Sequence, residues 1–133
     1  MISNYRELIA ATKQEHEPQR LLFVFCRAEL PDEASDEERA AFERGEGGAL
    51  TPVTCVDKAP AEVANFSLLV EESRNTGQSW DVVFVAAMSG RGGVPPSGDE
   101  AQQPMTMMVE SIRLGHVGNY LPLDINGEAV NLG

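Results

Sequence analysis

A glycine-rich segment holds the residues whose types and spacing come nearest to ligand chemistry. It runs over residues 89–99 as Ser-Gly-Arg-Gly-Gly-Val-Pro-Pro-Ser-Gly-Asp, between an apolar stretch and a predicted helix. Backbone N–H groups in such loops bind phosphates, and an arginine pairs with carboxylates or phosphates. The segment is therefore predicted to be a mobile connecting loop, with a site for an anionic ligand or a partner as the alternative. Its candidate residues are Ser89, Arg91, Gly92 and Gly93.

The spacing of these glycines departs from the known phosphate-binding motifs. Gly93 and Gly98 match the Gly-x-x-x-x-Gly part of a P-loop, but Asp99 stands where that loop needs a lysine. A carboxylate at this position would repel a phosphate. The earlier Gly-Arg-Gly run lacks the third glycine of the dinucleotide fingerprint. Because no phosphate-binding motif is complete, we expect no cofactor.

The residues that could act as nucleophiles also lack their partners. Ser89 follows an apolar stretch, but Ala87 and Arg91 occupy the glycine positions of the Gly-x-Ser-x-Gly elbow. Cys55 would be an activated thiol only if the cation of Lys58 approached it. The sequence therefore assigns no catalytic residue, and it leaves open whether the protein is an enzyme.

Histidines and cysteines do not form a metal-binding pattern. His16 and His116 lie far apart, each near a predicted helix end, where the helix dipole stabilises a cation. One histidine pair without a cysteine cluster predicts no metal site. Cys26 and Cys55 both fall in apolar stretches without Cys-x-x-Cys spacing. We expect both to be small buried hydrophobic residues.

The charge of the chain excludes several classes of partner. Its 133 residues carry 21 acids and 10 scattered bases, a formal net charge of −11. Such a field repels phosphates, so we expect no binding to nucleic acid or to an anionic membrane. The chain begins without an apolar signal segment, and its longest apolar run, residues 82–88, is too short to span a membrane. We therefore expect a cytoplasmic protein.

Acidic residues are concentrated in residues 29–46, where eight acids accompany two arginines. Ser35 and Glu38 have the spacing of a capping box, which predicts a short helix that runs to Arg44 and ends at Gly45. This helix is either an ordinary solvated helix or a docking face for a basic partner. The candidate partner-binding residues are Glu33, Asp36, Glu37 and Glu38.

The predicted elements alternate between helices and strands in one domain of ordinary size. Alternation favours an α/β fold with a mixed, partly parallel sheet of about five strands, flanked by helices and ending in an antiparallel hairpin. An α+β arrangement is the alternative. The predicted helices cover residues 3–16, 36–44, 60–76 and 104–114, and the predicted strands cover residues 21–26, 49–56, 80–88, 120–125 and 128–132.

Several stretches of the chain resemble one small, uncharacterised proteobacterial family of about this length. They include Leu-Leu-Phe-Val-Phe at 21–25, Ala-Glu-Leu-Pro at 28–31, Gly-Gly-Ala-Leu-Thr-Pro at 47–52, Cys-Val-Asp-Lys at 55–58, the apolar run at 82–87 and Tyr-Leu-Pro at 120–122. Members of that family often carry the label "ribonucleotide reductase subunit alpha". That enzyme needs a large barrel, a radical-forming cysteine and a redox pair, whereas this chain has 133 residues and two cysteines, so we regard the label as a misannotation. In element order alone, the chain also resembles the N-terminal domain of the enhanced-serine-sensitivity (SseB) family.

The incomplete catalytic motifs, the acidic segment and the terminal hairpin favour a non-enzymatic protein-interaction or regulatory module. Its partner would be another protein or, through the edge of the hairpin, a second copy of the chain. The alternative function is a small-molecule binding protein or enzyme that holds an anionic ligand in the 89–99 segment.

Overall fold

The computed structural model describes residues 2–30, 32–44 and 49–131, which form an antiparallel sheet with helices on both faces. The helices are α1 (Tyr5–Lys13), α2 (Asp36–Glu43), α3 (Phe66–Arg74) and α4 (Gly98–Arg113). The strands are β1 (Gln19–Glu29), β2 (Ala49–Lys58), β3 (Val82–Ser89) and β4 (Leu121–Leu123). A 3₁₀ turn over Pro60–Val63 precedes α3.

The arrangement of the strands contradicts the predicted α/β fold. The sheet has four strands in the order β2-β1-β3-β4, and each neighbouring pair is antiparallel. The prediction of a mixed, partly parallel sheet of about five strands is therefore wrong, and the fold is an α+β arrangement. Strands β2 and β3 do run in the same direction, with α3 between them in the chain. They never pair, because β1 lies between them and bonds to both.

Strand β1 is a central strand that is covered on both faces, as its unbroken apolar run predicts. Successive side chains point to opposite faces of a sheet, so β1 contributes to two separate cores. In the first core, Leu21, Phe23 and Phe25 pack with buried residues of α1 and α3 and with Trp80. In the second core, Leu22, Val24 and Cys26 pack with Ala101, Met105, Met108 and Ile112 of α4.

Helix α1 is shorter at both ends than the predicted 3–16, and two other helices begin six residues from their predicted starts. Instead of one helix from Pro60, a 3₁₀ turn comes first and the side chain of Asn65 caps α3. Helix α4 begins at Gly98, six residues before the predicted start at Pro104, with Ser97 and Glu100 forming a capping box. Pro104 lies inside the helix. The loop is shorter than predicted, because Ser97 caps α4 and the last two residues of the predicted loop, Gly98 and Asp99, belong to the helix.

The predicted terminal hairpin is a turn whose second arm is not a strand. Leu123 forms an isolated bridge with Ala129, and the backbone N–H of Val130 donates to the carbonyl of Pro122 at 3.0 Å. Residues 129 and 130 therefore already occupy the outer edge of β4. The far end of the predicted second arm, Leu132, lies outside the described residues, as do Gly45, which was predicted to end α2, and the Gly-Gly pair predicted to open β2.

The turn between these arms also differs from the expected Asn-Gly type. Both Asn126 and Gly127 were predicted to have positive φ, but only Gly127 does, at 79°. The carboxylate of Asp124 holds the turn by accepting from the backbone N–H groups of Asn126 at 2.8 Å and Glu128 at 3.1 Å. An aspartate side chain that accepts from the backbone N–H two residues later stabilises a turn. A second residue with positive φ is therefore not needed here.

At the other edge of the sheet, β2 carries two features that limit pairing with a further strand. Thr54 lies opposite Phe25 but Pro52 lies opposite Cys26, so one extra residue, Val53, forms a bulge. Proline also has no N–H group for a ladder, and it is tolerated at edges and bulges for that reason. The local geometry of β2 therefore reduces the tendency of this long edge to pair with another chain.

Candidate functional site

The glycine-rich segment forms a tight hairpin turn beside the end of β3. The backbone N–H groups of Arg91 and Val94 each donate to the other's carbonyl at 3.0 Å. Between them, Gly92 and Gly93 have φ values of 59° and 82°. Two successive positive φ angles are what a type I′ turn requires, and glycine adopts them without steric cost.

This turn presents two backbone N–H groups to one anion, and the anion belongs to the protein itself. The carboxylate of Glu17 accepts from Gly92 at 2.9 Å through Oε2 and from Gly93 at 2.7 Å through Oε1. Successive N–H groups in such turns form concave sites for anions. The backbone of the turn thus binds an anion, but its occupant is Glu17 of the same chain, of which the sequence gave no sign.

The other two candidate residues of this segment, Ser89 and Arg91, have different environments. Ser89 Oγ accepts from Gln19 Nε2 at 2.9 Å, which ties the segment further to the start of β1. Arg91 is exposed to solvent. Because the N–H groups of Gly92 and Gly93 already bind a carboxylate, the geometry does not favour an external anion here. The role of the four residues in ligand binding stays a prediction.

The two cysteines occupy different environments. Cys26 is buried in the second core, as expected, and burial raises the pKa of its thiol to about 12. Cys55 is exposed, so the expectation of a buried side chain is wrong for it. The pKa of Cys55 is raised by partial burial and by the nearby carboxylate of Asp57.

The structure also contradicts the activation of Cys55 by Lys58. The ammonium group of Lys58 pairs with Glu72 of α3 at 2.8 Å, on the sheet face that carries the first core. Cys55 lies opposite Val24, whose side chain belongs to the second core. Their side chains therefore point to opposite faces, and with its pKa raised Cys55 is a weak nucleophile near neutral pH.

The described part of the chain was compared with what a metal site and a membrane-spanning helix require. Within residues 2–30, 32–44 and 49–131, no group of three or more histidine, cysteine or acidic side chains is placed to hold a metal ion. His16 and His116 are both exposed. Over the same ranges, no helix has the length and the apolar content needed to cross a membrane.

The acidic candidates lie on or beside α2, which stands in the connection between β1 and β2. The predicted capping box is confirmed: Glu38 N–H donates to Ser35 Oγ at 3.1 Å, and Ser35 N–H donates to Glu38 Oε1 at 3.2 Å. Glu38 therefore has a structural role as well. Glu33, Asp36 and Glu37 are exposed, and α2 has no buried residue. The structure thus leaves three of the four candidate acids available to a partner.

A groove that the sequence interpretation missed lies beside α1. It has a volume of about 700 Å³ and is bounded by α1, the start of α3 and the turn at residues 124–128. Its buried part is apolar, and the rings of Tyr5 and Phe66 lie there with centroids 4.7 Å apart. Arg6 and Lys13 also line it. The sequence feature that could have indicated this groove is the spacing of seven residues between Arg6 and Lys13, which places both on one face of a helix.

Comparison of the chain with family models, curated proteins and solved structures finds no match. The resemblances to a proteobacterial family and to the enhanced-serine-sensitivity domain therefore stay predictions. The candidate sites are judged on their own geometry, because no relative assigns a role to any of these residues.

Proposed function

We propose that the protein is a non-enzymatic interaction module whose helix α2 docks on a basic segment of a partner protein. The observation that carries this proposal is the exposure of α2, an eight-residue helix without one buried residue. An element of this kind contributes little to the hydrophobic core. Its helical form depends on local bonds instead, chiefly the capping box at Ser35 and the acids in its first turn.

The charge of this region indicates the chemistry of the partner. Six acids and two arginines lie among the described residues 32–44. Arg39 directs one guanidinium N–H to the backbone carbonyl of Asp32 at 2.9 Å, so this contact does not neutralise a carboxylate. A surface with this excess of carboxylates attracts lysine and arginine side chains and raises the rate of encounter with them. The attraction falls with salt, because the Debye length is only about 8 Å at physiological ionic strength.

The test compares two variants with the same change in net charge. The first removes three exposed acids around α2 (Glu33→Gln, Asp36→Asn and Glu37→Gln), and it leaves the capping residues Ser35 and Glu38 unchanged. The control removes three exposed acids elsewhere (Glu71→Gln, Asp99→Asn and Glu110→Gln). Each immobilised chain is exposed to lysate of the source cell, and captured proteins are then purified and titrated against all three chains.

The proposal predicts a partner that binds the natural chain and the control but binds the α2 variant at least about tenfold more weakly. We expect the same complex to weaken when salt rises from about 50 mM to about 500 mM. Equal weakening by both variants would show that only the net charge matters. That result, or the absence of any partner sensitive to the α2 substitutions, would contradict the proposal.

A further inference from the structure

We propose that the groove between α1 and α3 binds a small organic carboxylate with an aromatic or branched apolar body. This site lies outside α2 and does not depend on the docking role proposed for that helix. Its volume of about 700 Å³ falls in the range of about 300–1,000 Å³ that is usual for small-molecule pockets.

The apolar body of the ligand would contact the rings in the groove. Tyr5 and Ile9 are buried, and Phe66 is partly buried beside them. The Tyr5 hydroxyl donates to the carbonyl of Val63, so its ring is fixed and its polar atom is already bonded. The surface that Tyr5 offers a ligand is therefore mainly the ring. Rings that pack in tilted pairs, as Tyr5 and Phe66 do at 44°, provide a contact for a further aromatic group.

Gly127 gives the groove a rigid wall on the side of the 124–128 turn. Its backbone N–H donates to the carbonyl of Asp124 within the turn at 3.0 Å. Its carbonyl accepts from the backbone N–H of Tyr5 in α1 at 2.8 Å. A Cβ at position 127 would lie 3.1 Å from the ring of Phe66 and 3.2 Å from Tyr5 Cβ. Only a glycine lets this backbone approach both aromatic residues so closely.

The polar part of the groove consists mainly of hydrogen-bond donors. Arg6 and Lys13 are exposed on α1, and neither forms an ion pair with another described residue. Both cations lie on one helix face and have, among the described residues, no ion-pair partner that a ligand would have to displace. Glu128 is the single acid among the described residues that line the groove. The local balance is therefore positive.

Two side-chain amides add donors of fixed orientation. The oxygen of Asn4 accepts from Glu7 N–H at 2.9 Å, and the oxygen of Asn65 accepts from Ser67 N–H at 2.9 Å. Because each oxygen caps a helix, each NH₂ group remains to donate to a ligand, and no described residue accepts from either. Guanidinium, ammonium and amide N–H groups are all donors that suit the acceptor oxygens of a carboxylate.

The test uses phenylacetate as the probe, with the full-length chain labelled with ¹⁵N and observed by NMR. We expect phenylacetate to shift the backbone signals of Arg6, Ala10, Phe66 and Gly127. Its neutral analogue phenylacetamide should bind at least about tenfold more weakly, since it lacks the charge that the cations recognise. Inorganic phosphate should bind more weakly as well, because it makes no contact with the rings.

A pair of charge-matched variants shows whether binding depends on the groove. Arg6→Gln with Lys13→Gln should reduce phenylacetate affinity at least about tenfold, whereas Arg74→Gln with Arg113→Gln, at exposed positions on α3 and α4, should leave it unchanged. Absence of shifts with phenylacetate, equal binding of the amide, or equal loss in both variants would overturn the proposal. The same Arg6 and Lys13 variant should keep any partner captured by α2, so the two proposals can fail separately.

Discussion

Ser73 and Trp80 form a hydrogen bond inside the first core, where the indole Nε1–H of Trp80 donates to Ser73 Oγ at 2.7 Å. The serine hydroxyl donates in turn to the carbonyl of Val70 at 2.6 Å. Both side chains are buried, with only 4% of Ser73 and 7% of Trp80 exposed. The ring of Trp80 also packs on the ring of Phe25 in the central strand, with a distance of 5.0 Å between the ring centroids. This short network therefore joins α3 to the sheet.

Ser73→Ala should destabilise the protein by about 1–3 kcal/mol, because it leaves the indole N–H of Trp80 buried without an acceptor. Trp80 is the single tryptophan of the chain, so its fluorescence reports on this site during denaturant unfolding. Ser67→Ala, on the exposed face of the same helix, is the control and should change the free energy of unfolding by less than about 0.5 kcal/mol. Equal midpoints for both variants would contradict the assigned role.

Glu17→Gln should loosen the turn at residues 91–94 with little effect on global stability. An amide offers one acceptor oxygen in place of two charged ones, so one of the N–H groups of Gly92 and Gly93 loses its partner. Because this contact is near the surface, we expect a cost of about 1 kcal/mol or less. Amide hydrogen exchange at Gly92 and Gly93 should become faster. Glu15→Gln is the control, and unchanged exchange in the Glu17 variant would show that the carboxylate does not hold the turn.

Gly90→Ala should be among the most damaging single substitutions in the same region. A Cβ at this position would overlap the carbonyl oxygen of Val94 and lie 2.8 Å from its carbon, so the turn would have to move. We expect a loss of about 2 kcal/mol or more in the free energy of unfolding. Gly118→Ala, where a Cβ meets nothing within 4 Å, should stay within about 0.5 kcal/mol. Thermal unfolding of both variants decides between these expectations.

The two thiols should react with iodoacetamide at different rates and with a clear pH dependence. Thiolate is the reactive form, and the pKa of Cys55 is raised by burial and by Asp57. At about pH 8 Cys55 should therefore react more slowly than a free cysteine, and its rate should still rise above about pH 9. Cys26, with a pKa of about 12 and no exposed surface, should react only after unfolding. Peptide mass spectrometry over time measures both, and modification of native Cys26 as fast as Cys55 would contradict the structure.

Features that depend on neighbouring residues in the chain were predictable from the sequence. The apolar run at residues 21–26 predicts a strand covered on both faces, because no polar side chain in it needs solvent. Ser35 and Glu38 predict the cap of α2, since both bonds of a capping box lie within four residues. The same signature occurs at Ser97 and Glu100, but Pro104 competes with it as a start signal, because proline is commoner at the start of a helix than inside it.

Features that depend on contacts between distant residues were not predictable in this way. The alternation of helices and strands is the same whether β1 lies outside β2 and β3 or between them, so local patterns do not determine the order of the strands. Glu17 and Gly92 are separated by 75 residues, and only the pairing of β1 with β3 brings them together. The groove likewise joins residues from three separate parts of the chain.

The central position of β1 has a consequence for how the chain folds during its synthesis. A ribosome releases β1 early, but Val82, the partner of Cys26 in β3, follows only roughly 60 residues later, which takes several seconds at about 5–20 residues per second. Until then, one edge of this buried central strand has no partner. A hairpin with β2 covers the other edge sooner. Translation speed between β2 and β3 therefore sets how long a nascent chain exposes this strand to chaperones or to aggregation.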